Sequence, residues 1–237
     1  MVFYIWQKLE KMRYILILCL VFTIISCKSD KNAQETKNEE AKPLSAAQKI
    51  ANAYGFENWS NVSKIDFVFN VDVNGQNRSK RAWQWQPKTN DVTLTTGENV
   101  VNYNRASIDS TSLGADRGFI NDKYWLLSPF NLIWDESATV SEHPKEEAPI
   151  SKELLNKITI TYSNEGGYTP GDAYDFYYGD DFLIKEWVFR RANAPEPSLV
   201  TAWKNHQDFN GIKIATEHHR GEGDWKLYFT GVSVEIK

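Results

Sequence analysis

The side chains able to do chemistry are few and scattered. Four histidines are present, His143, His206, His218 and His219. His218 and His219 are adjacent, so on a strand they point to opposite faces and do not share one metal in the regular way. They read as surface histidines, with His143 and His206 in loops at no fixed spacing to them. Asp172, Asp175, Asp180 and Asp181 crowd two turns. Calcium favours clustered carboxylates, but the Asp/Gly spacing of an EF-hand loop is missing, and turn-forming aspartates account for them better. Glu146-Glu147 sits in what reads as an acidic, solvated loop over Ser137–Pro149. No G-x-S-x-G, H-E-x-x-H, P-loop or G-x-G-x-x-G occurs. The expectation is a non-catalytic protein with no metal and no cofactor. A glycoside hydrolase is the enzymatic alternative, because its two carboxylates need no linear motif.

The stronger signal is aromatic. Phe67, Phe69, Trp83, Trp85, Trp125, Phe130, Trp134, Trp187 and Phe189 fall on segments that read as half-buried strands or helix. Each taken singly is most simply core. Together they offer more ring surface than one short helix can cover, and a cavity admitting an apolar ligand is the natural outlet. Stacking of sugars on exposed tryptophans is the competing use.

One further residue has chemistry of its own. An apolar run from Tyr14 to Ile25 follows a cationic lead (Lys8, Lys11, Arg13) and ends in Ser26-Cys27. Basic lead, short apolar stretch and small residue at the cut describe a secretory signal over residues 1–26. Twelve residues fall short of the ~20 needed to span a bilayer. The cysteine directly after Ser26 resembles the lipobox of bacterial lipoproteins, which implies cleavage before Cys27 and lipid on its thiol. The lead is over-long if Met12 is the initiator, with no effect on the mature chain. One acyl chain gives reversible membrane binding and two or more give stable anchoring. The expected location is therefore the cell envelope, lipid-anchored through Cys27, with the outer membrane as the expected membrane.

Removing residues 1–26 also removes Cys19, so with Cys27 lipidated the folded part has no thiol for a disulfide or metal site. That segment holds three basic residues and one acid, and its loss takes the net charge from −4 to −6. An acidic balance argues against nucleic acid as a partner. Residues 27–42 are charged and nearly free of apolar side chains, so they read as a tether.

From Pro43 a single domain is expected, running to Lys237. Ser45 and Gln48 form a capping box, with Ala47, Ile50, Ala51 and Tyr54 at helical spacing and Gly55 as a left-handed stop. Strands follow. Ile65, Phe67, Phe69, Val71 and Val73 define a dry face, Asn74-Gly75 a hairpin turn, and Arg81, Trp83 and Trp85 one face of the returning strand. A second hairpin turns at Thr96-Gly97. Alternation fades between Asp109 and Trp134, where helix is expected and Pro129 must end or kink it. Strands resume at Leu154. The strand around Phe182–Arg191 is apolar on both sides, so both its faces must be covered. A parity slip near Gly231 suggests a bulge.

The order helix, meander, WLLSPFNL, then a second meander carrying GGYTPGDAYDFYYGDDFLIKEW is similar to uncharacterised Bacteroidetes lipoproteins, over nearly all of Pro43–Lys237. In outline these resemble the LolA/LolB lipoprotein-carrier fold. The resemblance implies an α+β fold: a curved antiparallel sheet forming an unclosed β-barrel, with a short N-terminal helix and helical lid segments. It also implies a hydrophobic concavity for a lipid, acyl chain or lipoprotein. A surface lipoprotein that binds glycans or serves in assembly is the alternative function.

Overall fold

The alternating segments become eleven strands in one antiparallel sheet. The computed structural model describes residues 43–237; the apolar run, Cys27 and the 27–42 segment lie outside the described residues. The strands are β1 (Val62–Val73), β2 (Gln76–Gln86), β3 (Asp91–Thr96), β4 (Asn99–Asn104), β5 (Thr139–Glu147) and β6 (Leu154–Thr161). They continue as β7 (Ala173–Tyr178), β8 (Ile184–Arg190), β9 (Leu199–Phe209), β10 (Ile212–His219) and β11 (Trp225–Ile236). Their order in space is β4-β3-β2-β1-β11-β10-β9-β8-β7-β6-β5. The sheet is thus two meanders joined where β1 pairs with β11, and it stays open, with β4 and β5 as its edges.

Among the described residues two α-helices complete it, beside short 3-10 turns at Phe56–Asn61 and Arg191–Asn193. Helix α1 (Ala46–Ala53) carries the expected capping box: Ser45 Oγ accepts from Gln48 N–H, and Gln48 returns the bond to Ser45 N–H. Its apolar stripe of Ala47, Ile50 and Ala51 is buried. Helix α2 (Leu113–Trp134) contains Pro129 and departs from helical geometry at Leu127, with φ −131° and ψ 21°. A proline lacks the N–H for the i−4 carbonyl and its ring crowds that carbonyl, so the kink has its cause in sequence.

Helix α2 touches strands from both meanders on one face: β2 through Trp83, β7 through Tyr174, β8 through Trp187 and β10 through His218. For one helix to reach all of these, the sheet must curl around it. Two carboxylates with no exposed surface fix it there. Asp122 accepts from Arg81 at 2.6 and 2.7 Å and from Trp83 Nε1–H at 2.8 Å. Asp116 accepts from Arg105 Nε–H at 2.8 Å and from the Tyr168 hydroxyl at 2.6 Å. Arg81, placed by the alternation of β2 on the same face as Trp83 and Trp85, is the inward cation that the buried aspartate needs.

The outer face is dressed too. All six residues of β7 are buried. A register shift between β7 and β8 turns Ile184 to the same side as Trp187, while Glu186 and Val188 face outward. There Val188 packs with Ala148, Leu155 and Tyr177. Glu186, only 2% exposed, accepts N–H bonds from Ile150 and Ser151, each at 2.7 Å. The β5–β6 connection is thereby drawn over the back of the sheet, giving β8 the second cover that its two-sided apolarity requires.

One expectation is corrected. Residues 139–147, read as loop, form edge strand β5. An edge strand pairs on one side only and tolerates proline and charge, so it need not alternate. A register shift between His143 and Glu146 brackets Pro144. The bulge near Gly231 is present, where β11 carries an extra residue against β1 and Gly231 has φ +58°.

Gly55 takes φ +88° and lies against the backbone of the β9–β10 turn, where an added Cβ would fall 1.8 Å from the Gly211 carbonyl oxygen. Gly55→Ala should therefore destabilise by more than the ~1 kcal/mol of a left-handed penalty alone, visible as a lowered denaturant midpoint. Asp122→Asn leaves Arg81 without its charge partner at the helix–sheet joint. A loss of about 3 kcal/mol is expected in urea unfolding, since breaking a buried pair costs roughly 3–5 kcal/mol.

Candidate functional site

Between α2 and the β6–β9 part of the sheet the packing opens into a cavity of about 930 Å³. Its walls come from three sources. Helix α2 supplies Ile120, Lys123, Tyr124, Trp125 and Asn131; the strands supply Tyr174, Trp187, Phe189 and Leu199; the chain after β6 supplies Tyr162, Glu165, Tyr168, Thr169 and Asp172. These strand residues share a face because of period 2, and Tyr162 continues the inward set of Ile158 and Ile160.

The floor is aromatic. Trp125 and Trp187 ring centroids lie 4.2 Å apart, Tyr124 and Tyr174 4.7 Å, and Tyr174 stacks on Phe189 at 5.1 Å. The upper wall is polar. Asp135, just past the end of α2, accepts from the Tyr162 hydroxyl and from Asn131 Nδ2–H at 2.7 Å. The Tyr124 and Tyr162 hydroxyls lie 3.3 Å apart. Burial raises the phenol pKa of Tyr124, Tyr162 and Tyr174, and Asp135 adds to the rise at Tyr162, so all three remain neutral donors and acceptors. Two buried polar atoms on cavity-lining residues have no partner: Trp187 Nε1 and Asn131 Oδ1.

Lys123 is the lysine of the cavity wall. It is half-buried, its ammonium lies 5.0 Å from the Trp134 ring centroid, and no carboxylate comes within ion-pair distance. Burial pushes its pKa down to about 8, against the pull of Asp135.

Of the expected aromatic residues, Trp125, Trp187 and Phe189 line this cavity. Phe67, Phe69, Trp83, Trp85 and Phe130 are instead buried in the continuous core. Phe130 and Trp134 pack with Trp59 at 5.7 and 4.8 Å, away from the cavity wall. Phe67 and Trp83 also border a second hollow of about 290 Å³ with Asp66, Ala82 and Gly231. Sequence reasoning passed over the tyrosines. Tyr124, Tyr162 and Tyr174 carry the polar side of the site, and the inward parity of Tyr162 and Tyr174 was the available signal.

The titratable clusters disperse. Asp175 pairs with Arg190 at 2.9 Å and takes the Thr159 hydroxyl at 2.6 Å; Asp180 pairs with Lys145, Asp181 with Lys185, and Asp172 accepts from Ala192 N–H. Glu146 pairs with Lys157 and Glu147 with Lys152. Among the described residues no group of three or more His, Cys, Asp or Glu is placed to hold a metal. Nor is any described helix long and apolar enough to cross a membrane.

His218 is a second correction. It is not a surface residue: it has no exposed area, and it packs behind the floor against Trp203 at 4.6 Å, Trp125 at 5.2 Å and Phe229 at 5.9 Å. Neither ring nitrogen meets a partner, and burial holds its pKa down at about 3. His219, on the opposite face, bonds to Glu217 at 2.8 Å.

The chain matches no protein-family model, and no curated protein shows significant similarity to it. Among solved structures it is similar to a LolA superfamily protein from Nitrosomonas europaea, with TM-score 0.48 and 9% identity over 82% of this chain and 96% of that one. It is also similar to a DUF1329 family protein from Desulfovibrio piger, with TM-score 0.45 and 9% identity over 81% and 92% of the two chains.

The buried imidazole sets a pH test. In the folded chain His218 stays neutral to about pH 3, whereas unfolded it takes a proton near pH 6.5. The unfolded state then binds more protons across that window, so stability falls as pH falls from 6.5 toward 3. Between pH 7.5 and 5 this one group costs about 2 kcal/mol. His218→Phe should remove that share of the slope, read by denaturant unfolding at the two pH values.

Proposed function

We propose that the protein is a lipid-anchored component of the cell envelope that holds an amphiphilic ligand in the α2 cavity and performs no chemistry on it. The observation that carries this reading is the cavity itself: about 930 Å³, with an aromatic floor and a polar wall. Small-molecule sites are commonly ~300–1,000 Å³ hollows of this composition, with a few placed polar groups fixing orientation. Burial against Trp125, Trp187 and Phe189 supplies the driving force, at about 25 cal/mol per Å² of apolar surface. The tyrosine hydroxyls supply direction.

Catalysis finds no support in the same geometry. Asp135 is engaged by Tyr162 and Asn131, Asp172 by backbone, and Glu165 lies out on the exposed rim. Anchoring rests on the sequence of Ile24-Ile25-Ser26-Cys27. In this reading the cysteine is lipidated, the expected location is the outer membrane, and the ligand is a lipid, an acyl chain or the acyl part of a lipoprotein. The glycan alternative in its surface-stacking form loses its platform, since none of the eight tryptophans among the described residues is exposed.

Native mass spectrometry of residues 43–237, purified without detergent, should show an adduct or take up added fatty acid. A clean mass that ignores fatty acids overturns the reading. Phe189 is half-buried, so Phe189→Gln reaches the cavity with little damage to the core. It should weaken uptake about tenfold, the equivalent of ~1.4 kcal/mol.

A further inference from the structure

Three cations border the α2 cavity, Arg117 and Arg191 on the exposed rim and Lys123 deeper on the helix wall. None of them comes within 4 Å of a carboxylate, and Lys123 is the half-buried one of the three. The acids at the same cavity are placed differently. Asp135 and Asp172 accept hydrogen bonds from the protein's own groups, and Glu165 projects from the exposed loop after β6. The charges are balanced three to three, but Asp135 is already held by Tyr162 and Asn131, while the Lys123 ammonium has neither a hydrogen-bond nor an ion-pair partner and rests only over the Trp134 ring. Lys123 matters most, because a half-buried ammonium gains more from an anion than a solvated one does.

We propose that the cavity selects amphiphiles with an anionic end, a carboxylate or phosphate, held by Lys123 while the chain lies on the aromatic floor. This deepens the amphiphile reading and rests on it. Arg117 and Arg191 draw the head toward the mouth from longer range. A cationic or neutral head would leave the Lys123 ammonium without a bonded anion.

The test uses the full chain in phosphatidylcholine nanodiscs and three hexadecyl probes, each bearing a diazirine: the carboxylate, the alcohol and the trimethylammonium. Photolabelling is read by peptide mass spectrometry at Trp125, Tyr174 and Phe189. The carboxylate should label these positions at least about tenfold more than the other two, and Lys123→Met should erase most of that preference. Lys123→Arg, which keeps the charge, should retain it. Equal labelling by all three probes, with Lys123→Met unchanged, overturns the anion proposal and leaves the amphiphile reading standing. No labelling of the cavity by any probe overturns both. Suppression by millimolar acetate or inorganic phosphate as strong as by unlabelled palmitate also overturns it, since the site would then read the anion without the chain.

Discussion

The structure depends on burying two aspartates inside a greasy fold. Asp116 and Asp122 sit on one helix, have no exposed surface, and find their charge partners elsewhere in the chain, in Arg105 and Arg81. A lone buried carboxylate is prohibitively costly. The helix is therefore admitted to the interior only where Arg81, Trp83, Arg105 and Tyr168 converge. Hydrophobic burial would accept α2 at many rotations and depths; the two charged joints accept it at one. Because α2 also carries the chain from edge strand β4 to the opposite edge β5, fixing the helix fixes how far the sheet must curl.

That position decides where packing is complete and where it is not. On the β1–β2 side the helix is drawn in close and the rings of Trp83, Trp85, Phe119 and Phe130 interlock. On the β6–β9 side the polar joints, Tyr168 to Asp116 and Tyr162 to Asp135, come from the chain after β6 and not from the strands themselves. There the helix faces tyrosines whose hydroxyls need polar neighbours, and the gap between them is the cavity. The rings are thus unevenly shared: most serve as core, and a minority of Trp125, Trp187, Phe189 and the tyrosines face open space.

How much of this was legible in sequence follows from what each signal measures. Alternation reports a half-buried face, so β1, β2 and β8 could be read from Phe67, Trp83 and Trp187, along with the hairpins at Asn74-Gly75 and Thr96-Gly97. Edge strand β5 could not, because its exposed residues carry no burial pattern. His218 shows the limit most clearly. Its parity with Ile212 and Ile214 placed it inward, yet residue type argued for surface, and type was the weaker guide. The separation of cavity rings from core rings needed the third dimension, since Trp83 and Trp187 occupy equivalent places in equivalent strands. What distinguishes them is a partner, Asp122 for one and nothing for the other.

The kink in α2 has a consequence for how this scaffold breathes. With proline at 129, the carbonyl of Trp125 has no amide to receive, and Leu127 breaks the regular ladder between them. The helix is mechanically two rods with a soft joint beneath the floor. The longer rod carries both charged anchors, and the shorter one ends among Trp59, Phe130 and Trp134. Trp125, whose carbonyl the proline leaves without its amide, thus stands at the break in the helix, while the aromatic knot around Trp59 closes the other end.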